Sequence, residues 1–231
     1  MQSNVKKVYT TLLNNNIKKT KVEILCKVSD IEFEVKNKDI MGNLIQSWLE
    51  VFLDQNNINW HGPNNTQAYP DFILDGDQHM ELKCWFKDAS PAFDLANFKS
   101  LVNDLTINPK ILDTDYLIFN YGFDDSGITI NDFWVKKIWE ITKIPTGKKS
   151  QNYNLISSQI KKGTIYNLRP YNFTLNSDDC IGSKKYFLTQ MKKTIDCFSD
   201  QLITDKNLFE NGDDWIKLVN KKILEDQGNK I

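Results

Sequence analysis

The chain has 231 residues and a mass of 26.9 kDa, enough to bury a sizeable hydrophobic core as one large domain or as a core with an appended lobe. Apolar residues at 40%, charged residues at 26%, and only 10 Gly and 6 Pro exclude disordered, collagen-like and low-complexity classes. The net charge is −1, yet eight cations between Trp134 and Pro170 face Glu140 alone, a local charge of +7 that can hold phosphate.

In chain order, Lys21 to Lys27 and Ile31 to Lys36 are short alternating segments around Ser29-Asp30 and predict an N-terminal hairpin. From Ile40 to Asn56 the apolar residues Ile40, Leu44, Ile45, Trp48, Leu49, Phe52 and Leu53 recur at helical spacing, and Asn56-Asn57 closes the helix. Asn59 to Gln67 is rich in turn formers and reads as a loop. Tyr69 to Leu74 and Met80 to Phe86 read as two strands joined by the Asp75-Gly76-Asp77 turn, most simply an antiparallel hairpin.

Ser90-Pro91 has the form of a cap and first position for a second helix carrying Phe93, Ala96, Phe98, Leu101, Val102 and Leu105. Asp115 to Phe123 is almost continuously apolar, as expected of a strand buried on both faces, and Gly127 to Ile130 extends the sheet. Phe133 to Ile141 reads as a short helix and Pro145 to Ser150 as a loop between core and lobe. Tyr186 to Phe198 and Asp213 to Leu224 have helical spacing, Asp213-Asp214 suits a helix start, and Gln227 to Lys230 reads as frayed. The expected class is α/β: a core over residues 1–135 with a mixed sheet flanked by helices, and a helical and recognition part over residues 136–231 of the same compact unit.

The chemistry concentrates in the predicted hairpin. Glu81 and Lys83 stand two apart on a strand and so share a face, and the turn brings Asp71 towards them. Two carboxylates in a small volume repel unless a hard divalent cation neutralises them, and oxygen donors with an open water shell suit Mg²⁺. A neighbouring lysine can then orient a water and offset charge on phosphorus.

Pro70-Asp71 followed by Glu81-Leu82-Lys83 resembles the PD-(D/E)XK nuclease signature, and Tyr69-Pro70-Asp71-Phe72-Ile73-Leu74 resembles the equivalent tract of EcoRV-type type II restriction endonucleases. A Pro-Asp and an acid-x-Lys alone arise readily by chance, and the apolar strands, the Asp-Gly turn and the helices on either side are what strengthen the reading. The resemblance covers about Gly42 to Phe123, and the nine residues between Asp71 and Glu81 are fewer than in many members. It implies a restriction-endonuclease-like fold in which Asp71, Glu81 and the Leu82 carbonyl hold Mg²⁺, Lys83 positions the water, and Glu50 or Gln46 on the preceding helix assists. Gln46 lies at the better motif spacing from Gly42, and Glu50 offers the better metal chemistry.

The resemblance further implies Mg²⁺-dependent cutting of both strands of a short duplex DNA site, 5′-phosphate ends, a homodimer, and a cognate DNA methyltransferase as genetic partner. Tract and size resemble the blunt-cutting branch near the NgoBV/NlaIV-type enzymes, whose target is GGNNCC. Two alternatives stay open: a repair or junction-resolving nuclease of the same fold, and a catalytically silent DNA-binding module.

Thr164 to Pro170 holds Arg169, the lone arginine among the cations, in an Asn-Leu-Arg-Pro segment similar to one seen in some restriction enzymes. Its guanidinium can read guanine or clamp a phosphate, with a surface salt bridge as the plain alternative. Asn167 and the lysine doublets Lys148-Lys149 and Lys161-Lys162 join it as candidate DNA contacts, although such pairs are more often simply solvated. His61 and His79 read as structural and Cys84 as a small buried apolar group. No C-x-x-C pair or zinc spacing occurs, no run is long and apolar enough to span a bilayer, and Met1 to Asn16 lacks the apolar stretch of a leader, so the expectation is a cytoplasmic protein with reduced thiols and no membrane contact.

Overall fold

The structure, a computed structural model, describes residues 1–34, 40–63, 69–124, 127–145, 155–174, 180–204 and 207–228. In chain order its elements are α1 (Ser3–Asn14), β1 (Thr20–Val22), β2 (Leu25–Val28), β3 (Ile31–Glu34), α2 (Met41–Gln55), β4 (Trp60–His61), β5 (Phe72–Leu74), β6 (Gln78–Phe86), β7 (Ala96–Asn97), α3 (Phe98–Ile107), β8 (Asp115–Asp124), β9 (Gly127–Lys136), β10 (Ser158–Lys161), β11 (Thr164–Leu168), α4 (Lys184–Cys197), α5 (Ser199–Leu202) and α6 (Gly212–Gly228). Short 3₁₀ turns stand at Pro109–Asp113 and Ile138–Glu140. The chain divides into two compact units, Met1–Pro91 with Thr114–Lys136, and Ala92–Asp113 with Lys137–Ile231.

The first unit is built on a six-stranded sheet of order β1-β9-β8-β6-β5-β4. It is mixed, with β6 and β8 parallel and the other pairs antiparallel, as the expected fold class requires. Alternation sends Met80 and Leu82 of β6, Leu117 and Phe119 of β8, and Ile128, Ile130 and Phe133 of β9 to one face. There they meet Val5, Val8 and Leu12 of α1 and Met41, Ile45, Leu49, Phe52 and Leu53 of α2. A fully buried Leu or Phe in such a core is worth roughly 1.5–3 kcal/mol of transfer free energy. Glu81, Lys83 and Trp85 alternate with the core residues and belong to the other face, called the site face below.

The second unit pairs a three-stranded antiparallel sheet, β10-β11-β7, with α3, α4, α5 and α6. Its core includes Phe187, Met191, Ile195, Trp215 and Val219, all fully buried. Trp215 of α6 donates its indole N–H to the Val102 carbonyl of α3 at 2.9 Å. β10 and β11 meet at a two-residue turn in which Lys162 (φ 50°) and Gly163 (φ 80°) are both left-handed, the conformation that matches strand twist.

Five sequence readings change. The strand expected from Lys21 divides: β1 pairs with β9, and the hairpin is β2 with β3. Trp60–His61, within the stretch read as a loop, form β4 against β5, while Ser3–Asn14, to which the sequence reading gave no element, form α1, buried through Val5, Val8 and Leu12. Ser90-Pro91 does not open α3; Asn97 does, its side chain accepting from Ser100 N at 3.0 Å, because Ala96 and Asn97 are held in β7 by Leu168 and Asn167. Phe133 to Ile141 is not a helix, since Phe133 to Lys136 complete β9 against β8 and only Ile138–Glu140 turn helically. The expected loop from Pro145 to Ser150 lies outside the described residues after residue 145.

Candidate active site

β5 and β6 pair with Phe72 opposite Met80, Ile73 opposite His79 and Leu74 opposite Gln78. That register puts Asp71, one residue before β5, across from Glu81. The backbone N–H of Asp71 donates to Glu81 Oε2 at 3.1 Å, and the N–H of Leu82 donates to Asp71 Oδ2 at 2.8 Å. Lys83 Nζ donates to Glu81 Oε1 at 2.7 Å. The hairpin therefore brings Asp71, Glu81 and Lys83 together through backbone and side-chain hydrogen bonds. Its loop is closed by left-handed Gly76 (φ 72°) and Asp77 (φ 57°), and the Tyr69-Pro70 peptide is cis.

Glu81 is only 7% exposed because β6 is an inner strand, flanked by β5 and β8. Burial raises its carboxyl above the usual range; the Lys83 ammonium pulls the other way and the Asp71 charge raises it again. The buried Glu81 carboxylate and the half-buried Asp71 carboxylate form a set of hard oxygen donors whose repulsion a divalent cation would relieve. That donor set fits Mg²⁺, which is commonly held by one or two carboxylates while keeping several waters.

A feature of the site that sequence reasoning missed lies alongside. Register pairs Glu81 with Tyr116 on β8, and the hydroxyls of Tyr116 and Tyr69 are hydrogen-bonded to each other. Tyr116 is buried and Tyr69 half-buried, and desolvation first, then neighbouring charge, raises both phenols above their usual value. The position of Tyr69 beside Pro70-Asp71 was a visible signal; the parallel partner of Glu81 was not.

Among the described residues no three His, Cys, Asp or Glu side chains are assembled for a metal, so Glu50 does not complete a cluster with Asp71 and Glu81. Glu50 and Gln46 are both half-buried on α2. Cys84 packs against the core as a free thiol, its pKa pushed up to about 12, chiefly by burial. His79 sits 3.5 Å from Asp77 Oδ1, and His61 is exposed.

The remaining candidates are in the second unit. Arg169 Nε pairs with Asp94 Oδ1 at 2.8 Å, and Nη1 donates to the Ala92 carbonyl. Asn167 is half-buried opposite Asn97, Lys161 and Lys162 are exposed at the β10–β11 turn, and Lys161 lies 5.7 Å over the Tyr166 ring. Lys148 and Lys149 lie outside the described residues. No helix among the described residues is long and apolar enough to cross a membrane.

Comparison with known proteins identifies the family of the chain. The type II restriction enzyme NlaIV of Neisseria lactamica is 40% identical over 148 residues, 62% of this chain and 58% of that protein, so the match spans less than two thirds of its length. The type II restriction enzyme NgoBV of Neisseria gonorrhoeae is 37% identical over 127 residues, 52% of this chain and 71% of that protein. A solved structure of NlaIV restriction endonuclease matches with a TM-score of 0.84 and 29% identity, covering 100% of this chain and 92% of that one. The family model described as NgoBV restriction endonuclease matches residues 2–231. The chain therefore belongs to the NgoBV restriction endonuclease family, in which NlaIV and NgoBV are named type II restriction enzymes.

Proposed function

We propose that this chain is a type II restriction endonuclease that hydrolyses phosphodiester bonds in both strands of a short duplex DNA site with Mg²⁺. The observation that carries the reading is the joining of Asp71, Glu81 and Lys83 by hydrogen bonds of 2.7–3.1 Å around a buried carboxylate. Family membership and the names of its relatives support it.

Asp71 and Glu81 would hold the cation, with the Leu82 carbonyl as a further oxygen, and Mg²⁺ when bound supplies Lewis-acid stabilisation of charge on the phosphoryl oxygens. The chain's own groups do the positioning. Leu82 N–H fixes the Asp71 carboxylate, Asp71 N–H fixes Glu81, and Glu81 in turn fixes the Lys83 ammonium. So anchored, Lys83 orients the attacking water and offsets the charge that develops on phosphorus. In-line attack expels the 3′ oxygen, leaving 5′-phosphate and 3′-hydroxyl ends. Glu50 or Gln46 is given an assisting part by the family resemblance alone. The same resemblance supports a homodimer on a two-fold site, a partner methyltransferase, and GGNNCC as the first sequence to assay, and the lack of a long apolar run in the sequence suits a cytoplasmic setting.

The test is digestion of a sequenced plasmid carrying GGNNCC sites, with Mg²⁺ or with chelator, followed by mapping of the ends. Discrete Mg²⁺-dependent fragments with 5′-phosphates are expected. Cuts confined to junctions or flaps would favour a repair nuclease, and salt-dependent binding with no turnover a silent binding module.

A further inference from the structure

Beyond the catalytic cluster the site face continues along β6, β8 and β9. On β6, Glu81, Lys83 and Trp85 share one parity, which Lys87 continues one step past the strand end, its N–H bonded to the Tyr121 carbonyl at 2.8 Å. Parallel pairing sets Trp85 beside Asn120, and Trp85 stacks on Trp134 of β9 with ring centroids 5.2 Å apart. Lys87 lies four steps of strand rise from Lys83, about 13 Å, a few nucleotides of a DNA strand.

Here β9 carries a bulge. Asn120 pairs with Asp132 and Tyr121 with Ile130, so Asn131 is the extra residue between them. The bulge keeps Ile130 and Ile128 in the core while turning Asn131 onto the site face, where its amide donates to Asn120 Oδ1 at 3.3 Å. Bulges beside active sites commonly re-aim a side chain in this way.

Gly122 of β8 is what lets these groups meet. A Cβ at this position would lie 2.6 Å from Lys87 Cδ, 2.9 Å from Lys87 Cε and 3.1 Å from Asn131 Nδ2. The lysine stem and the amide thus converge over the bare glycine, in space that any side chain would take. Asp132, the acid next to Asn131, is paired with Lys18 at 2.6 Å. The result is one ammonium and one amide, both donors, converging over Gly122 about 13 Å along the strand from Lys83.

We propose that Lys87 and Asn131, seated over Gly122, form a phosphate-binding cradle that holds the substrate strand a few nucleotides from the scissile bond. The proposal rests on the nuclease reading above and adds binding residues to it. A lysine on a phosphate acts as a point charge that releases a counterion, and a neighbouring amide adds a neutral hydrogen bond, so the two make separable predictions.

The test is equilibrium binding of duplexes with and without a GGNNCC site, in chelator over a range of salt, for the full chain and for Lys87→Gln, Lys87→Arg, Asn131→Ala, Gly122→Ala and, as control, the exposed Lys217→Gln. Lys87→Gln is expected to weaken both duplexes alike and to lower the slope of log K against log salt by about 0.9, and Lys87→Arg to restore the slope. Asn131→Ala is expected to weaken binding with the slope unchanged, and Gly122→Ala to mimic Lys87→Gln in a folded protein. Lys217→Gln should match the parent chain. A Lys87→Gln slope and affinity equal to those of the parent chain would overturn the cradle while leaving the nuclease reading intact, whereas a parent chain that binds no duplex would sink both.

Discussion

The β5–β6 and β10–β11 hairpins, one in each unit, both turn through left-handed residues, Gly76 and Asp77 in the first and Lys162 and Gly163 in the second. They place their charges in opposite ways. In β5–β6 the carboxylate of Glu81 is buried and every member of the cluster is tied to another by a hydrogen bond. In β10–β11, Lys161 and Lys162 face solvent, and the hairpin is held instead by Gln201, which accepts from Ile165 N at 3.1 Å and donates to the Gly163 carbonyl at 3.0 Å. Buried, mutually fixed charges can define the position of a reacting atom, because low dielectric strengthens their interactions and packing forbids their drift. Exposed lysines on a rigid ribbon can attract a polyanion but cannot position chemistry.

Stability separates the two hairpins first. Phe72 of β5 is fully buried, so Phe72→Ala should lose about 3–5 kcal/mol in urea unfolding, whereas Tyr166→Ala, at a residue 43% exposed, should stay within about 0.5 kcal/mol. Equal losses would show that burial does not distinguish the two hairpins.

The buried charge makes a second difference. The folded-state pKa of Glu81 is raised, so its contribution is fully present below the ordinary carboxylate value and is lost as pH rises through the raised one. Metal-free protein should therefore lose thermal stability over that window, Mg²⁺ should restore it at the upper end, and Glu81→Gln should remove both effects in a melting experiment. Mg²⁺ protection that survives in Glu81→Gln would locate the cation elsewhere.

Smaller effects belong to the second hairpin. Gln201→Ala should cost about 1 kcal/mol, because its two hydrogen bonds are partly solvated, and should loosen the turn in amide exchange. Arg169→Ala should cost no more than about 1 kcal/mol, since its ion pair with Asp94 is 28% and 49% exposed. If Arg169 also reads DNA, affinity for the cleaved site will fall far more than stability does; parallel small changes would leave it as a strut of β11.

The contrast also explains what could be read from residues alone. Asp71, Glu81 and Lys83 were legible because strand alternation places residues two apart on one face and a short turn places the strands together, both local facts. The α2 helix was legible from its period, and α1 carried the same signal in Val5, Val8 and Leu12 amid polar residues. Partners distant in sequence were not legible. Phe133 to Ile141 has a passable helical spacing, but pairing with β8 claims its first half, and β11 claims Ala96 and Asn97 from the predicted helix. For the same reason Tyr116 beside Glu81 and the Gly122–Lys87–Asn131 convergence emerge only when β6, β8 and β9 are aligned.

On the proposed reading Lys83, held on Glu81, takes part in cleavage. The direct measurement is the rate at which Lys83→Ala, shown to be folded by its melting curve, linearises plasmid in Mg²⁺ beside the parent chain. A fall of roughly 10²–10⁴-fold is expected with the protein still folded. Cleavage at the parent rate would contradict it.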